Sequence, residues 1–195
     1  MLYINQLGYP HIPYEHNTQN GGRPPESANI ASSGCGLCSA CMIVDHLVIG
    51  GTLSLEECRQ MSYDTEANYD VGTSMRRLGP AIAERFNLDF SMTNDIDEAI
   101  AHLQAGGEII VNVGGDDENG IGVFTSGGHY MVLLSYENGE FCILDPSYTG
   151  RWYKAEGRRE KVRVVHPFVY CNREVMIAEG VKKRDPAFYM FKRKN

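Results

Sequence analysis

The spacing of apolar residues divides the chain into two halves. In the first, Leu37, Ala40, Cys41, Val44, Leu47 and Val48 recur at intervals of three and four. That stripe predicts a helix beginning at Gly34 or Cys35 and stopped by Gly50-Gly51. Ser54 with Glu57 three residues later has the capping-box pattern and predicts a second, short helix. "SMRRLGPAIAERF" predicts a third, interrupted by Gly79-Pro80. "DIDEAIAHLQAGG", with acids in its first turn and glycines at its end, predicts a fourth. Residues 1–34 are rich in Pro, Gly, Asn and Ser, show no period, and read as an extended, irregular segment.

The second half changes period. "EIIVNV", "HYMVLLSY" and "EFCILDP" are short β-rich runs, and Asn138-Gly139 joins the last two as a hairpin. "KVRVV", "FVYC", "EVMIA" and "AFYMF" are further strand candidates. Helices followed by antiparallel strands predict an α+β domain rather than a doubly wound α/β one. A length of 195 residues suits one well-cored domain spanning residues 1–195. No internal repeat or low-complexity stretch is visible.

Composition narrows the function classes. The chain is 43% hydrophobic and 22% charged, which is ordinary for a globular protein. Its net charge of −7 argues against nucleic acid as a partner. Between Arg85 and Arg151 there is no Lys or Arg against eleven Asp and Glu, whereas from Arg151 onward there are thirteen basic residues and five acidic ones. The expectation is that these are solvated faces, with the "KRKN" end a solubilising tail. No apolar run approaches the length of a membrane span. The start, "MLYINQLGYPHIPYEHN", lacks the basic and apolar regions of a signal peptide, so a cytoplasmic location is expected, with an exported mature domain as the alternative. The sequence sets no oligomeric state.

The chemistry concentrates in "ASSGCGLCSACMIVDHLVIGG", which holds half of the six cysteines. A structural zinc site needs four ligands, but three cysteines on one helix point around most of its circumference, and Cys58, Cys142 and Cys171 are isolated. No metal or cofactor is therefore expected. "CGLC" has the spacing of a redox dithiol, yet "RPPESANIASSG" before it cannot be the buried strand such a motif follows. A nucleophile fits the position best. A thiol in the first turn of a helix feels the positive end of the macrodipole, which favours the thiolate. The flanking Gly34 and Gly36 let backbone and substrate approach closely. Such a cysteine needs an imidazole, and the imidazole needs an orienting group. "TSGGHYMVLLSY" puts His129 at the mouth of a strand, and the partner strand ends in Asp145-Pro146 at the same end of the hairpin. Each residue alone has a bland reading as a buried thiol, a strand-end histidine or a turn aspartate; together they make a Cys–His–Asp set.

At these residues the sequence resembles papain-like cysteine peptidases of the bacteriocin-leader-processing (double-glycine) group and their stand-alone bacterial relatives. The matching stretches are "INQLGYP", "SSGCGLCSACMIV", "LQAGGEIIVNV" and "GGHYMVLLSYENGEFCILDPS", covering roughly residues 3 to 150. The resemblance implies a papain-like fold, with the helical half packed on an antiparallel sheet. It also implies Cys35 as nucleophile, His129 as base, Asp145 as orienting carboxylate and Gln6 as oxyanion-hole amide. The chain departs from the family twice. Papain and the leader-processing members carry the glutamine six residues before the nucleophile, where this chain has Asn29. Papain attacks with the later cysteine of its Cys-Gly-Ser-Cys run, which corresponds to Cys38, whereas "SGCG" matches the leader-processing group and Cys35.

The implied activity is hydrolysis of a peptide or protein substrate, or a related amide, through an acyl-enzyme. The competing readings are a papain-like module that binds peptides without cleaving them, and a thiol–disulfide oxidoreductase using Cys35 and Cys38. The acidic stretch "GGDDENGIGVFTSGG" lacks the ligand spacing of a calcium loop. It is expected to be a mobile loop beside the cleft, where Asp116, Asp117 and Glu118 favour substrates carrying Lys or Arg.

Overall fold

The computed structural model describes residues 1–15, 28–68, 72–118 and 120–194. Part of the segment expected to be irregular, residues 16–27, lies outside the described residues. The rest of it contains a 3₁₀ turn at Gln6–Gly8, a bridge between Pro13 and Asn29, and a one-turn helix α1 (Ile30–Ser33).

Helix α2 (Cys35–Leu47) begins where expected. It is not simply amphipathic: Gly36 through Val44 are all buried, because both sides are covered. One side lies on the sheet and the other packs on α3 (Leu55–Asp64) and α4 (Met75–Phe86). The helix ends three residues before Gly50, and Arg193 caps it by donating from Nε to the Leu47 carbonyl and from Nη2 to the His46 carbonyl at 3.2 Å. The carboxy-terminal segment expected to be a solubilising tail thus also satisfies helix carbonyls that would otherwise be orphaned. At α3, the Ser54 Oγ accepts from Glu57 N while Glu57 accepts from Ser54 N, the predicted capping box. Helix α4 runs through Gly79-Pro80 without the expected interruption. Pro80 is on the exposed side, and Met75, Leu78, Ile82 and Ala83 bury the opposite face; that burial outweighs the one lost N–H.

Seven strands make one sheet among the described residues: β1 (Leu88–Thr93), β2 (Glu108–Val113), β3 (His129–Glu137), β4 (Glu140–Leu144), β5 (Arg163–Val165), β6 (Phe168–Asn172) and β7 (Phe188–Arg193). The order is β1-β7-β2-β3-β4-β6-β5, and every pairing is antiparallel. Asn138 and Gly139 both take positive φ, 53° and 83°, and close the β3–β4 hairpin as predicted. Strand β1, absent from the sequence reading, follows the left-handed Asn87 that ends α4 and pairs along all of β7. "EVMIA" is helical instead of extended. Asn172 accepts from Val175 N at 3.0 Å and caps α6 (Arg173–Met176), which continues as a π-helical turn over Ile177–Val181.

Strand β2 is nearly all apolar because both faces of the sheet are covered. Ile110 joins the core under α2, α3 and α4, whereas Ile109, Val111 and Val113 pack with α5 (Ile96–Gln104) and α6. The segregated charges meet across the fold. Arg173 pairs with Asp97, Arg163 with Glu140 at 2.6 Å, and Lys183 with Asp117 at 3.3 Å, each joining the basic carboxy-terminal third to the acidic middle. Among the described residues no helix is long and apolar enough to cross a membrane.

Candidate active site

Three elements converge at one end of the sheet. Helix α2 lies across β2 and β3, which brings its first residue, Cys35, to the first residue of β3, His129. Antiparallel pairing of β3 with β4 sets Val132 opposite Leu144, so Asp145, the residue after β4, comes level with Met131, two residues from His129. His129 Nε2 lies 2.7 Å from Asp145 Oδ1, and the two side chains are 6% and 2% exposed. A carboxylate oxygen only accepts, so Nε2 carries the hydrogen and Nδ1 is the nitrogen left for the thiol.

Asp145 is held from several directions. Its Oδ1 also accepts from Ser147 N at 2.7 Å, its Oδ2 accepts from Tyr153 Oη at 2.6 Å, and its backbone carbonyl accepts from Tyr3 Oη at 2.8 Å. Burial and the Asp145 charge push the Tyr153 phenol well above its ordinary value, which keeps it a donor. Tyr153 and Tyr3 escaped the sequence reading because nothing local marks them. The Ser147 contact was legible, since an aspartate that hydrogen-bonds its backbone two residues on is a turn signature.

Cys35 is partly exposed at the cleft, and the other thiols of α2 are fully buried. Burial pushes the Cys35 thiol up. The hydrogen bond and charge of His129, followed by the backbone N–H groups of Tyr130 and Gly36, outweigh that and hold it below the ordinary thiol value. For His129, burial opposes protonation, but the Asp145 charge, the hydrogen bond to it and the contact with Cys35 raise the imidazole to about 10. The two shifts run in the directions that favour a thiolate beside an imidazolium. Burial instead pushes Cys38 up, and Cys41 is raised by a hydrogen bond with Cys58 and by burial.

Gln6 is buried beside α1. Its backbone N–H donates to the Pro146 carbonyl at 2.6 Å, and its Nε2 donates to the Ala31 carbonyl at 2.8 Å. That acceptor fixes the amide orientation, and among the described residues the second Nε2 hydrogen and Oε1 have no partner. Asn29 is occupied otherwise: its Oδ1 caps α1 by accepting from Ser32 N at 3.0 Å, and Ser32 Oγ accepts from Asn29 N at 3.1 Å. As the first residue of α2, Cys35 has an N–H with no carbonyl one turn back in its own helix.

Two expectations need correction. Gly34 and Gly36 do not open room for substrate. A Cβ on Gly36 would lie 2.7 Å from Thr73 Cβ, and one on Gly34 would lie 2.6 Å from the Ile30 carbonyl oxygen, so both glycines serve close packing of the protein on itself. The described residues of the acidic loop, likewise, are tied to the rest of the fold at several points. Gly114 N donates to the Glu179 carbonyl at 2.8 Å, Lys183 Nζ to the Gly115 carbonyl at 2.7 Å, and Trp152 Nε1 to the Val123 carbonyl at 2.9 Å. Val123 and Phe124 are buried, and a Cβ on Gly115 would lie 2.1 Å from the Ser126 backbone. Asp116 accepts from Gly122 N, and Asp117 pairs with Lys183. The part of this loop that lines the cleft at Cys35 is Thr125–Gly128, not the acids.

Two solved structures share this architecture. One is a C39-like peptidase candidate from Bacillus anthracis, with 15% identity and a TM-score of 0.56 over 83% of this chain and 90% of that one. The other is the peptidase domain of Streptococcus ComA, a bi-functional ABC transporter of a quorum-sensing pathway, with 14% identity and a TM-score of 0.51 over 82% of this chain and 91% of that one. At these identities the likeness carries the fold, the papain-like α+β arrangement of C39 peptidases. No curated protein matches the sequence. The sequence pattern described as the Peptidase_C39 like family matches residues 7–166, and the chain belongs to that family.

Proposed function

We propose that the protein is a cysteine peptidase that hydrolyses a peptide or related amide bond, with Cys35 as nucleophile, His129 as proton carrier, Asp145 as the carboxylate orienting His129, and Gln6 with the Cys35 N–H as oxyanion donors. The observation that carries this reading is the convergence at one open cleft of a depressed thiol and a raised imidazole buried against Asp145. A buried pair of this kind with its cysteine bordering a cleft suits nucleophilic attack better than structural support.

The Cys35 thiolate adds to the carbonyl carbon, and the displaced electron pair becomes an oxyanion that accepts from the Cys35 N–H and Gln6 Nε2. Collapse breaks the C–N bond, and the imidazolium Nδ1–H supplies the proton that the departing amine needs. Water then attacks the thioester while Nδ1 takes its proton, and the thiolate leaves as the acid forms. Tyr153 and Ser147 N fix the carboxylate and Tyr3 holds the Asp145 backbone carbonyl, so that the imidazole stays aimed at the sulfur through both steps.

Labelling with a peptidyl electrophile tests the reading. Wild type and Cys38→Ser should be modified stoichiometrically at one cysteine, and Cys35→Ser should not be. Labelling that survives in Cys35→Ser and is lost in Cys38→Ser would reverse the assignment. Labelling of no cysteine would favour a non-catalytic binding module.

A further inference from the structure

The cleft beside Cys35 has a volume of about 860 Å³ and a wall that carries two guanidinium groups, Arg76 and Arg184. Arg76 is exposed at the start of α4, and its Nη2 donates to the Asp185 carbonyl at 2.7 Å. Arg184 is half-buried, its Nε donates to the Val113 carbonyl at 3.3 Å, and its Nη2 lies over Gly128: a Cβ built there would sit 2.8 Å away. Gly128 is the neighbour of His129, so this charge is adjacent to the reacting centre. Burial raises the Tyr189 phenol above its ordinary value, and the hydrogen bond with Tyr130 and the charges of both arginines, one on α4 and one in the turn before β7, oppose that rise.

Neither arginine meets a carboxylate among the described residues. The adjacent Lys183 pairs with Asp117 and Glu179, and Arg158, Arg163 and Arg173 also reach acids. The only acid among the described residues of the cleft wall is Asp185, and it gives Arg76 its carbonyl rather than its carboxylate. Among the described residues, backbone carbonyls therefore hold the two guanidinium groups in place and no carboxylate neutralises them. That is the arrangement for a planar, bidentate anion from outside.

Which side of the scissile bond this wall serves follows from the chemistry. The acyl group stays on the Cys35 sulfur, and the amine leaves from the His129 side. A second, smaller depression on the far side of His129 is lined by Leu7, Phe124 and Trp152 and does not include Cys35. The cleft with the Arg76–Arg184 wall borders both Cys35 and His129, whereas the smaller depression borders His129 without Cys35; the wall is therefore the one within reach of an acyl group held on Cys35.

We propose that Arg76 and Arg184 form an acid-selective subsite, which makes the preferred substrate a peptide with a Glu or Asp one or two residues from the scissile bond on its acyl side. This rests on the cysteine-peptidase reading and reverses the charge preference expected from the acidic loop.

The test uses the full chain and peptidyl acyloxymethyl ketones identical except for Glu, Gln or Lys at the first or second acyl-side residue. Labelling by a Glu probe should be roughly tenfold or more faster than by its Gln counterpart, slower still with Lys, and the advantage should shrink in high salt. Arg184→Gln and Arg76→Gln should each compress the Glu/Gln ratio, each rate being divided by the same variant's rate with iodoacetamide so that any change in the thiolate itself cancels. The same peptides as fluorescent carboxamides, bound to Cys35→Ala and followed by anisotropy, read the subsite without catalysis. Loss of labelling with retained Glu-selective binding would sink the peptidase reading and leave the subsite standing. Equal binding of Glu, Gln and Lys peptides, or a Lys preference in either assay, would overturn the subsite.

Discussion

Asp145 Oδ1 accepts from His129 Nε2 at 2.7 Å, and neither side chain is more than 6% exposed. Two strands joined by one tight hairpin deliver this contact: the Asn138-Gly139 turn starts the pairing, and a one-residue register shift between Leu133 and Ser135 sets the end of β4 beside the start of β3. The contact engages Nε2, leaves Nδ1 for Cys35, and raises the imidazole. The first expected consequences concern protonation.

The rate of Cys35 alkylation should already be high at neutral pH and should fall as pH drops through the depressed thiol value. Peptide hydrolysis should show that acid limb and an alkaline limb near 10, where the imidazolium loses its proton. His129→Ala should return the thiol toward or above its ordinary value, read from the pH dependence of iodoacetamide modification. The same shift affects stability. A folded-state value raised above 6.5 means that His129 stabilises the fold fully below that pH, and the contribution is lost as pH rises through about 10.

Tyr153→Phe removes one of the acceptances that hold the Asp145 carboxylate. As a positioning residue it should lower kcat by several-fold with little change in KM, and move the alkaline limb of the pH profile. Asp145→Asn keeps an oxygen that can accept from Nε2–H but removes the charge that raises His129, so kcat should fall and the alkaline limb should move below about 10. Steady-state kinetics across pH separate the two.

Gln6→Ala should reduce kcat by roughly 10²- to 10³-fold, the cost of removing one oxyanion donor. Asn29→Ala, at the position where relatives carry the glutamine, should instead cost about 1 kcal/mol of stability through loss of the α1 cap. Kinetics beside thermal melts would reveal an exchange of these two roles.

Cys41→Ser places a hydroxyl in the core between α2 and α3, at a cost of about 1–3 kcal/mol. Urea titration should show the loss, and the rate of electrophile labelling at Cys35 should be unchanged in the folded protein.

Those parts of the fold that depend on local patterning were legible: the start of α2, the capping box of α3, the acidic first turn of α5 and the hairpin at Asn138-Gly139. Cys35, His129 and Asp145 were legible because each sits at an element boundary that the chain marks with glycine or proline. What needed tertiary context was not. "EVMIA" has an apolar run that suits a strand or a short helix, and only the Asn172 cap decides between them. Strand β1 alternates apolar and polar residues, but its partner β7 lies about a hundred residues on, at the end of the chain. Pro80 stays in α4 because burial of the opposite face outweighs a local break. The acidic loop misled in the same way, since its glycines mark close backbone packing and its acids find cations from the carboxy-terminal third. Arg76 and Arg184 are far apart in sequence and meet only across the cleft.

The central claim is that Cys35 carries the acyl group. Acid-quenched intact-mass analysis during turnover of a peptide ester, followed by peptide mapping, measures this directly. The account predicts a transient adduct of the acyl fragment's mass on Cys35, absent in Cys35→Ser. Turnover without an adduct on Cys35, or an adduct mapped to Cys38, would contradict it.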